Sequence, residues 1–332
     1  LAHGSGGTLT HRLLREIVFP AFSNHVLDKC EDAAVVPLRG KCAFTTDSFV
    51  IQPLFFPGGD IGKLAVCGTV NDLAVMGARP AYMTAACIIE EGLRTAVFRK
   101  IVGSIAKAAK DAGVLIAGGD MKVVEKGACD KIFINTTGIG TITEGIRISA
   151  DNARPGDHVI INGTIGDHGA AVMSARKDYK LRSSIRSDCA SLNGLIERLL
   201  NTVPRIRVMR DPTRGGVATT LKEIAVQSNV EITIEEDALP VTGPVRGFCE
   251  ILGVDPLYMA NEGKVLVFAP EEDARRVVST MRKHALGRNA AVIGRVTRRC
   301  SSSDTPQVLL HTSIGSMRII DMLSGEQLPR IC

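Results

Sequence analysis

Four aspartates in the first 120 residues sit where secondary-structure preferences do not favour them. Asp32 stands at the entry to one apolar β-like run, Asp47 interrupts the next, Asp72 follows Asn71 in the last third of a helical pattern, and Asp120 follows Gly118-Gly119. Strands disfavour Asp, and a helix interior is a costly place for an unpaired carboxylate. Carboxylates at element ends around Gly turns are what a Mg²⁺–nucleotide site requires, because that ion takes hard oxygen ligands and bridges one or two protein carboxylates to phosphates. Each Asp taken singly also reads as a cap or turn residue; Asp47 and Asp72 are the two that no capping role explains. The opening His3-Gly4-Ser5-Gly6-Gly7 is either a plain mobile loop or a source of backbone N–H groups that close over a polyphosphate. No Walker-type Gly-x-x-x-x-Gly-Lys-Ser/Thr occurs, so a bound nucleotide implies a fold other than the P-loop class. At the far end Cys332 puts a thiol on a chain terminus, a carrier only if an active site elsewhere is there for it to visit.

The elements that must position these groups follow from periodicity. Apolar Leu9, Leu13, Leu14 and Ile17 predict a helix from Thr8 ended by Pro20. Strands are expected over 33–36 and 43–50, a helix over 61–76, a strand over 82–89, and a helix over 95–112 with Ile101, Ile105, Ala108 and Ala112 in its stripe. A strand over 114–117 then runs into Gly118-Gly119-Asp120, and one over 131–142 closes the first half. The polar cluster Asn152-Ala153-Arg154-Pro155-Gly156-Asp157 marks the domain boundary. Beyond it come a strand over 158–161, helices ending near Ala175 and spanning 192–203, and Asp211-Pro212-Thr213-Arg214-Gly215-Gly216, read as the cap of a helix to about Gln227. Strands over 230–234, 264–268, 291–296, 308–310 and 318–320, with helices over 245–252 and 271–284, complete the chain. Strands and helices mix without strict βαβ alternation, so the fold class is α+β in two domains, 1–153 and 154–322, with a flexible C-terminal tail over 323–332.

Bulk composition narrows the function. A net charge of +5, few aromatics and no Trp argue against nucleic acid as a partner. Nine cysteines without CxxC spacing or a zinc-ligand pattern favour neither a disulfide framework nor a structural metal, and fit a reducing cytoplasm. No secretory leader or membrane-length apolar run is seen, so no membrane partner is expected.

Taken together, His3-Gly4-Ser5-Gly6-Gly7, Thr69-Val70-Asn71-Asp72-Leu73-Ala74, Gly118-Gly119-Asp120-Met121-Lys122-Val123-Val124, Asp211-Pro212-Thr213-Arg214-Gly215-Gly216, Asn261-Glu262-Gly263 and Pro329-Arg330-Ile331-Cys332 closely resemble the HypE family of hydrogenase maturation factors, over essentially the whole chain. Several of these motifs also resemble the wider superfamily of aminoimidazole ribonucleotide synthetase and selenophosphate synthetase; only the Pro-Arg-Ile-Cys end singles out HypE. The resemblance implies two α+β domains of the aminoimidazole ribonucleotide synthetase type, a homodimer formed through the N-terminal domains, and ATP with Mg²⁺ near that interface. It implies that HypF delivers a carbamoyl group to the Cys332 thiol, that ATP drives its dehydration to a thiocyanate, and that the cyanide passes to iron on HypC–HypD. By matched motif, Asp32, Asp47, Asp72 and Asp120 are the metal and nucleotide ligands, with Asn71, Gly118 and Gly119 beside the nucleotide and Gly6 and Gly7 in a flap over the phosphates. Lys122 and Glu262 are the candidates for proton handling.

The chemistry supports these roles apart from the family. A carbamoyl oxygen leaves at neutral pH only after conversion to a phosphate ester, which needs positioning and charge neutralisation. The nitrogen must then lose protons to a base such as a buried carboxylate. Two other readings remain open on the sequence: a superfamily enzyme phosphorylating a small metabolite, with the tail incidental, and a thiol scaffold without catalysis.

Overall fold

The computed structural model of the protein describes residues 3, 8–29, 33–176, 183–323 and 331–332. Gly6, Gly7 and Asp32 lie outside the described residues, as does most of the 323–332 segment. The N-terminal helix is a composite: α1 (Thr8–Leu13) widens into a π turn over Leu14–Val18 and continues as α2 (Phe19–Phe22), through Pro20 rather than ending there. A proline ring collides with the carbonyl four residues back in a regular helix, and the wider turn moves that carbonyl aside.

Residues 33–36, expected as a strand, form none: Val35 is 80% exposed, and Pro37 removes a ladder donor. The first sheet begins at β1 (Cys42–Phe49). The short pair β2 (Phe55–Phe56) and β3 (Gly59–Asp60) leads into α3 (Ile61–Val75), and β4 (Ala78–Glu90), α4 (Thr95–Ala112), β5 (Leu115–Val124) and β6 (Ile132–Ile142) follow. The strand order is β1-β6-β4-β5, with only β4 and β5 parallel. β5 does not stop before Gly118-Gly119-Asp120 but carries it: a Cβ on Gly119 would sit 2.2 Å from the Ala85 carbonyl oxygen of β4, so the glycines permit strand pairing rather than a turn.

Every residue of α3 except Lys63 and Asp72 is buried. Such a helix has no solvent face. It lies between the first sheet, α4 and the second domain, and Asp60 caps it by accepting hydrogen bonds from the Gly62 and Lys63 N–H groups at 2.9 and 3.0 Å.

The second domain is a seven-stranded sheet in the order β13-β12-β9-β11-β7-β10-β8, built from β7 (Asp157–Ile161), β8 (Val208–Arg210), β9 (Val230–Glu235), β10 (Leu266–Pro270), β11 (Ala291–Arg299), β12 (Val308–His311) and β13 (Met317–Ile320). On one face α7 (Gly216–Ser228) packs Val217, Leu221 and Ile224 against Ile161, Ile232 and Phe268. On the other, α6 (Asn193–Thr202) and α9 (Glu271–Arg282) pack Leu195, Leu199 and Val277 against Ile160 and Val267, together with Ala74 and Val75 from the end of α3. α5 (Asp167–Ser174) and α8 (Gly243–Leu252) join the core of the first domain.

Asn71, expected beside the nucleotide, is the polar clamp of this junction. Its amide donates to the Ala190 and Glu262 carbonyls at 3.1 and 3.3 Å, and its oxygen accepts from the Leu192 N–H at 2.8 Å. Replacing Asn71 by Ala leaves these buried groups without partners. The expected cost is about 2–3 kcal/mol of stability, read as a lowered urea midpoint; an unchanged midpoint would deny the clamp any weight.

Candidate functional site

Asp47 faces inward on β1, where exposure alternates, and Asp72 is the one acidic residue on the buried α3. Both open onto a cavity of about 510 Å³ that Asp211, Arg214 and Glu262 close from the second domain. Thr45, two residues before Asp47 on the same strand face, donates its hydroxyl to Asp72 at 2.9 Å. The carboxyl groups crowd one another. Burial raises Asp47, opposed by the Ser48 N–H and by Arg214. Burial also raises Asp72, with the Thr45 hydrogen bond opposing it and the charge on Asp47 adding to it. Asp211 is pushed up to about 7 by burial, reinforced by Asp72 and Asp47. Glu262 stands well above the usual carboxylate range, from burial and then from Asp188, Asp211 and Asp47. Such a field stabilises a cation. Among the described residues no three His, Cys, Asp or Glu side chains form a metal cage by themselves, so a cation here needs oxygen ligands from a bound molecule as well.

The backbone around Glu262 is fixed from below. Asp188 accepts from the Glu262 and Gly263 N–H groups, each at 3.1 Å, and from Lys264 Nζ at 2.8 Å. Burial alone would raise Asp188, but Lys264 and these N–H groups outweigh it and hold it below the usual range.

The C-terminal dipeptide enters the same cavity. Ile331 is buried among apolar side chains of both domains. Its carbonyl accepts from His168 Nε2 at 2.7 Å, and a main-chain oxygen of Cys332 accepts from the Val50 N–H at 3.4 Å. The Cys332 thiol is pushed up to about 12, first by burial and then by the charge on Glu262, with Arg214 opposing. In this position the thiol is protonated at neutral pH and is no nucleophile.

Residues 30–142 match the AIR synthase related protein family, N-terminal domain, and residues 154–305 its C-terminal domain. The carbamoyl dehydratase HypE of Rhodobacter capsulatus is 48% identical, with 100% of this chain and 97% of that protein covered. That of Azotobacter vinelandii is 49% identical, over 100% and 96%. The chain belongs to the HypE family of carbamoyl dehydratases. A crystal structure of the maturation protein HypE in complex with ATP superposes with a TM-score of 0.95 at 47% identity, over 100% of this chain and 99% of that one. A HypE–HypF complex gives 0.81 at 50% identity, over 96% and 100%. A thiamine monophosphate kinase from Aquifex aeolicus, at 19% identity and a TM-score of 0.63, over 92% and 98%, shares the fold.

Of the HypE-like residues read from the sequence, Asp47, Asp72, Glu262 and Cys332 come together in one cavity. Gly118, Gly119, Asp120 and Lys122 do not: they lie on β5, at the opposite edge of the first sheet from β1. That is three strand spacings from Asp47, roughly 14 Å. There Lys122 Nζ donates to Asp120 at 3.0 Å on the outer face of the sheet, and this hydrogen bond holds Asp120 below its usual range. Asp211 was absorbed by its motif, since Asp-Pro-Thr-Arg-Gly-Gly is a sound helix start; in the fold Gly215 is the N-cap and no side chain caps the helix.

The raised Asp211 sets a pH dependence. Its native proton affinity, up at about 7, exceeds the unfolded value of about 3.9, so its contribution to stability is full below the unfolded value and is lost as pH rises through 7. Replacing Asp211 by Asn is therefore expected to raise the thermal midpoint at pH 8 by several degrees, with the gain shrinking towards pH 4.5. A gain equal at both pH values would contradict the assignment.

Proposed function

We propose that the protein dehydrates a carbamoyl group carried as a thiocarbamate on Cys332 to a thiocyanate, at the expense of ATP, and so supplies cyanide ligands to the iron of NiFe hydrogenase. The observation that carries this reading is the seating of Cys332 beside Glu262 in the acid-lined cavity. HypF is the carbamoyl donor, supported by the HypE–HypF complex of a relative, and HypC–HypD is the acceptor, in the cytoplasm. Among the described residues no helix is long and apolar enough to cross a membrane.

The overall balance is R–S–C(=O)–NH₂ + ATP → R–S–C≡N + ADP + phosphate + H⁺. The carbamoyl oxygen takes the γ-phosphoryl group, and the C–O bond then breaks with phosphate as the leaving group while nitrogen gives up two protons. One goes with the phosphate and one to a base. Glu262 suits that base: burial and acidic neighbours raise its proton affinity, and after burial it is the largest influence on the thiol. Arg214 adds positive charge on the same wall. The crowding that pushes Asp211 up to about 7 fits a divalent cation, so Asp47 and Asp72, with phosphate oxygens completing the shell, would hold Mg²⁺, which when bound neutralises phosphate charge.

Lys122 and Asp120 reach such a site only from a second copy. The outer face of the first sheet bears Phe44 at 70% and Ile88 at 44% exposure, and both β5 residues lie on it. Two copies pairing through this face bury that apolar surface and carry Asp120 and Lys122 of one across to β1 of the other.

Incubation with HypF, carbamoyl phosphate and ATP should place a carbamoyl adduct on the C-terminal peptide that loses one water only when ATP is present, followed by mass spectrometry. Asp72→Asn should leave loading intact and slow water loss about 100-fold or more; an adduct that persists with ATP in the native protein would leave a mere thiol carrier. Phe44→Glu should shift a dimer to a monomer in sedimentation equilibrium and abolish water loss, and a dimer that survives it would place the interface elsewhere.

A further inference from the structure

His168 has no part in the chemistry above, yet it is fully buried and every polar atom of its ring is used. It sits in the first turn of α5, its ring perpendicular to that of Phe56 of the first domain, at 5.4 Å between centroids and 90° between planes. Nε2 lies 2.7 Å from the Ile331 carbonyl oxygen, which only accepts, so Nε2 carries the proton. Nδ1 of the neutral ring then accepts from the Ser187 hydroxyl at 2.8 Å, and Ser187 Oγ itself accepts from the Cys189 N–H at 3.0 Å. Ser187 is anchored in turn to the first domain, its N–H donating to the Pro57 carbonyl at 2.8 Å. Donation therefore runs one way, from Cys189 through Ser187 and His168, and ends on the backbone of the C-terminal dipeptide. Burial keeps the imidazole below its usual range against the opposing pull of Asp188 and the Ile331 carbonyl, consistent with the neutral tautomer.

We propose that His168 is a latch for the carrier tail, a positioning residue whose Nε2–H holds the Ile331 carbonyl and thereby sets how much of the time Cys332 is seated in the cavity. When the dipeptide leaves, Nε2–H loses its acceptor in a buried site, which favours return. The seat is one short hydrogen bond from His168, a longer one from the Val50 N–H and one apolar side chain, weak enough to release a thiol that must also be loaded outside. This deepens the carrier reading of Cys332, and its test does not depend on the dehydration.

The test uses the full reduced chain and limiting iodoacetamide at pH 8, with peptide mass spectrometry reading each cysteine. Seated Cys332, with its thiol up at about 12, reacts slowly; released, it returns to about 8.5 and reacts fast. His168→Phe keeps a ring against Phe56 and removes the donor, so Cys332 should react about tenfold faster. His168→Gln, whose amide can still donate, should stay within about twofold of the native rate. Buried Cys67, Cys87 and Cys189 should stay protected in both variants. Ile331→Ala, which leaves His168 intact, should also speed Cys332. An unchanged Cys332 rate in His168→Phe overturns the latch. So does equal exposure of Cys67, Cys87 and Cys189, which would make His168 a core residue only, and so does an Ile331→Ala rate equal to native, which would mean that the dipeptide is not seated in solution.

Discussion

Asn71 and Asp72 are successive residues on a helix buried everywhere else but at Lys63, and the site depends on their opposite orientations. Asn71 points into the second domain and ties α3 to the segments around Ala190, Leu192 and Glu262. Asp72 points into the cavity. Because the amide fixes where Glu262 stands relative to α3, the placement of Asp72 from one domain against Glu262 from the other is set by three hydrogen bonds, two of them fully buried. Buried polar groups with all partners met specify a single arrangement more sharply than apolar packing does.

The arrangement stores electrostatic cost at the place of use. Burial raises Asp47, Asp72, Asp211 and Glu262, and the charge on Asp47 adds to the rise of the other three. The same repulsion that weakens the unliganded fold favours a cation with bound phosphate, and keeps Glu262 avid for a proton. Perturbed carboxyl groups gathered in a cleft are a physical signature of a reaction site, and here they come from elements as distant in sequence as β1 and the residues before β10.

The thiol illustrates the opposing demands on a carrier. Seated in the cavity, it is held protonated by burial and by Glu262, which protects it from stray electrophiles but prevents it from attacking a donor. A thiol that is to react with a donor therefore needs a second position of the dipeptide. Ile331, packed among side chains of both domains, and its carbonyl on His168 hold the inner one.

Much of this was legible in the residues themselves. The helices α3 and α4 and the strands β1 and β6 follow from periodicity and caps that adjacent residues encode, and the awkward positions of Asp47 and Asp72 singled out two residues that share one cavity. Asp211 was hidden by a motif with a sufficient local explanation, and Asn71 and His168 gave no local sign of bridging domains. Gly118-Gly119-Asp120 read as a turn because its need for glycine arises from the Ala85 carbonyl on a neighbouring strand. The sequence by itself determined most of the elements and the family, since period, turn chemistry and motif are carried by neighbours along the chain. Tertiary structure alone decided which acids share a cavity, which face is left bare and what holds the tail, because those depend on contacts between segments that only the packing of two domains brings together.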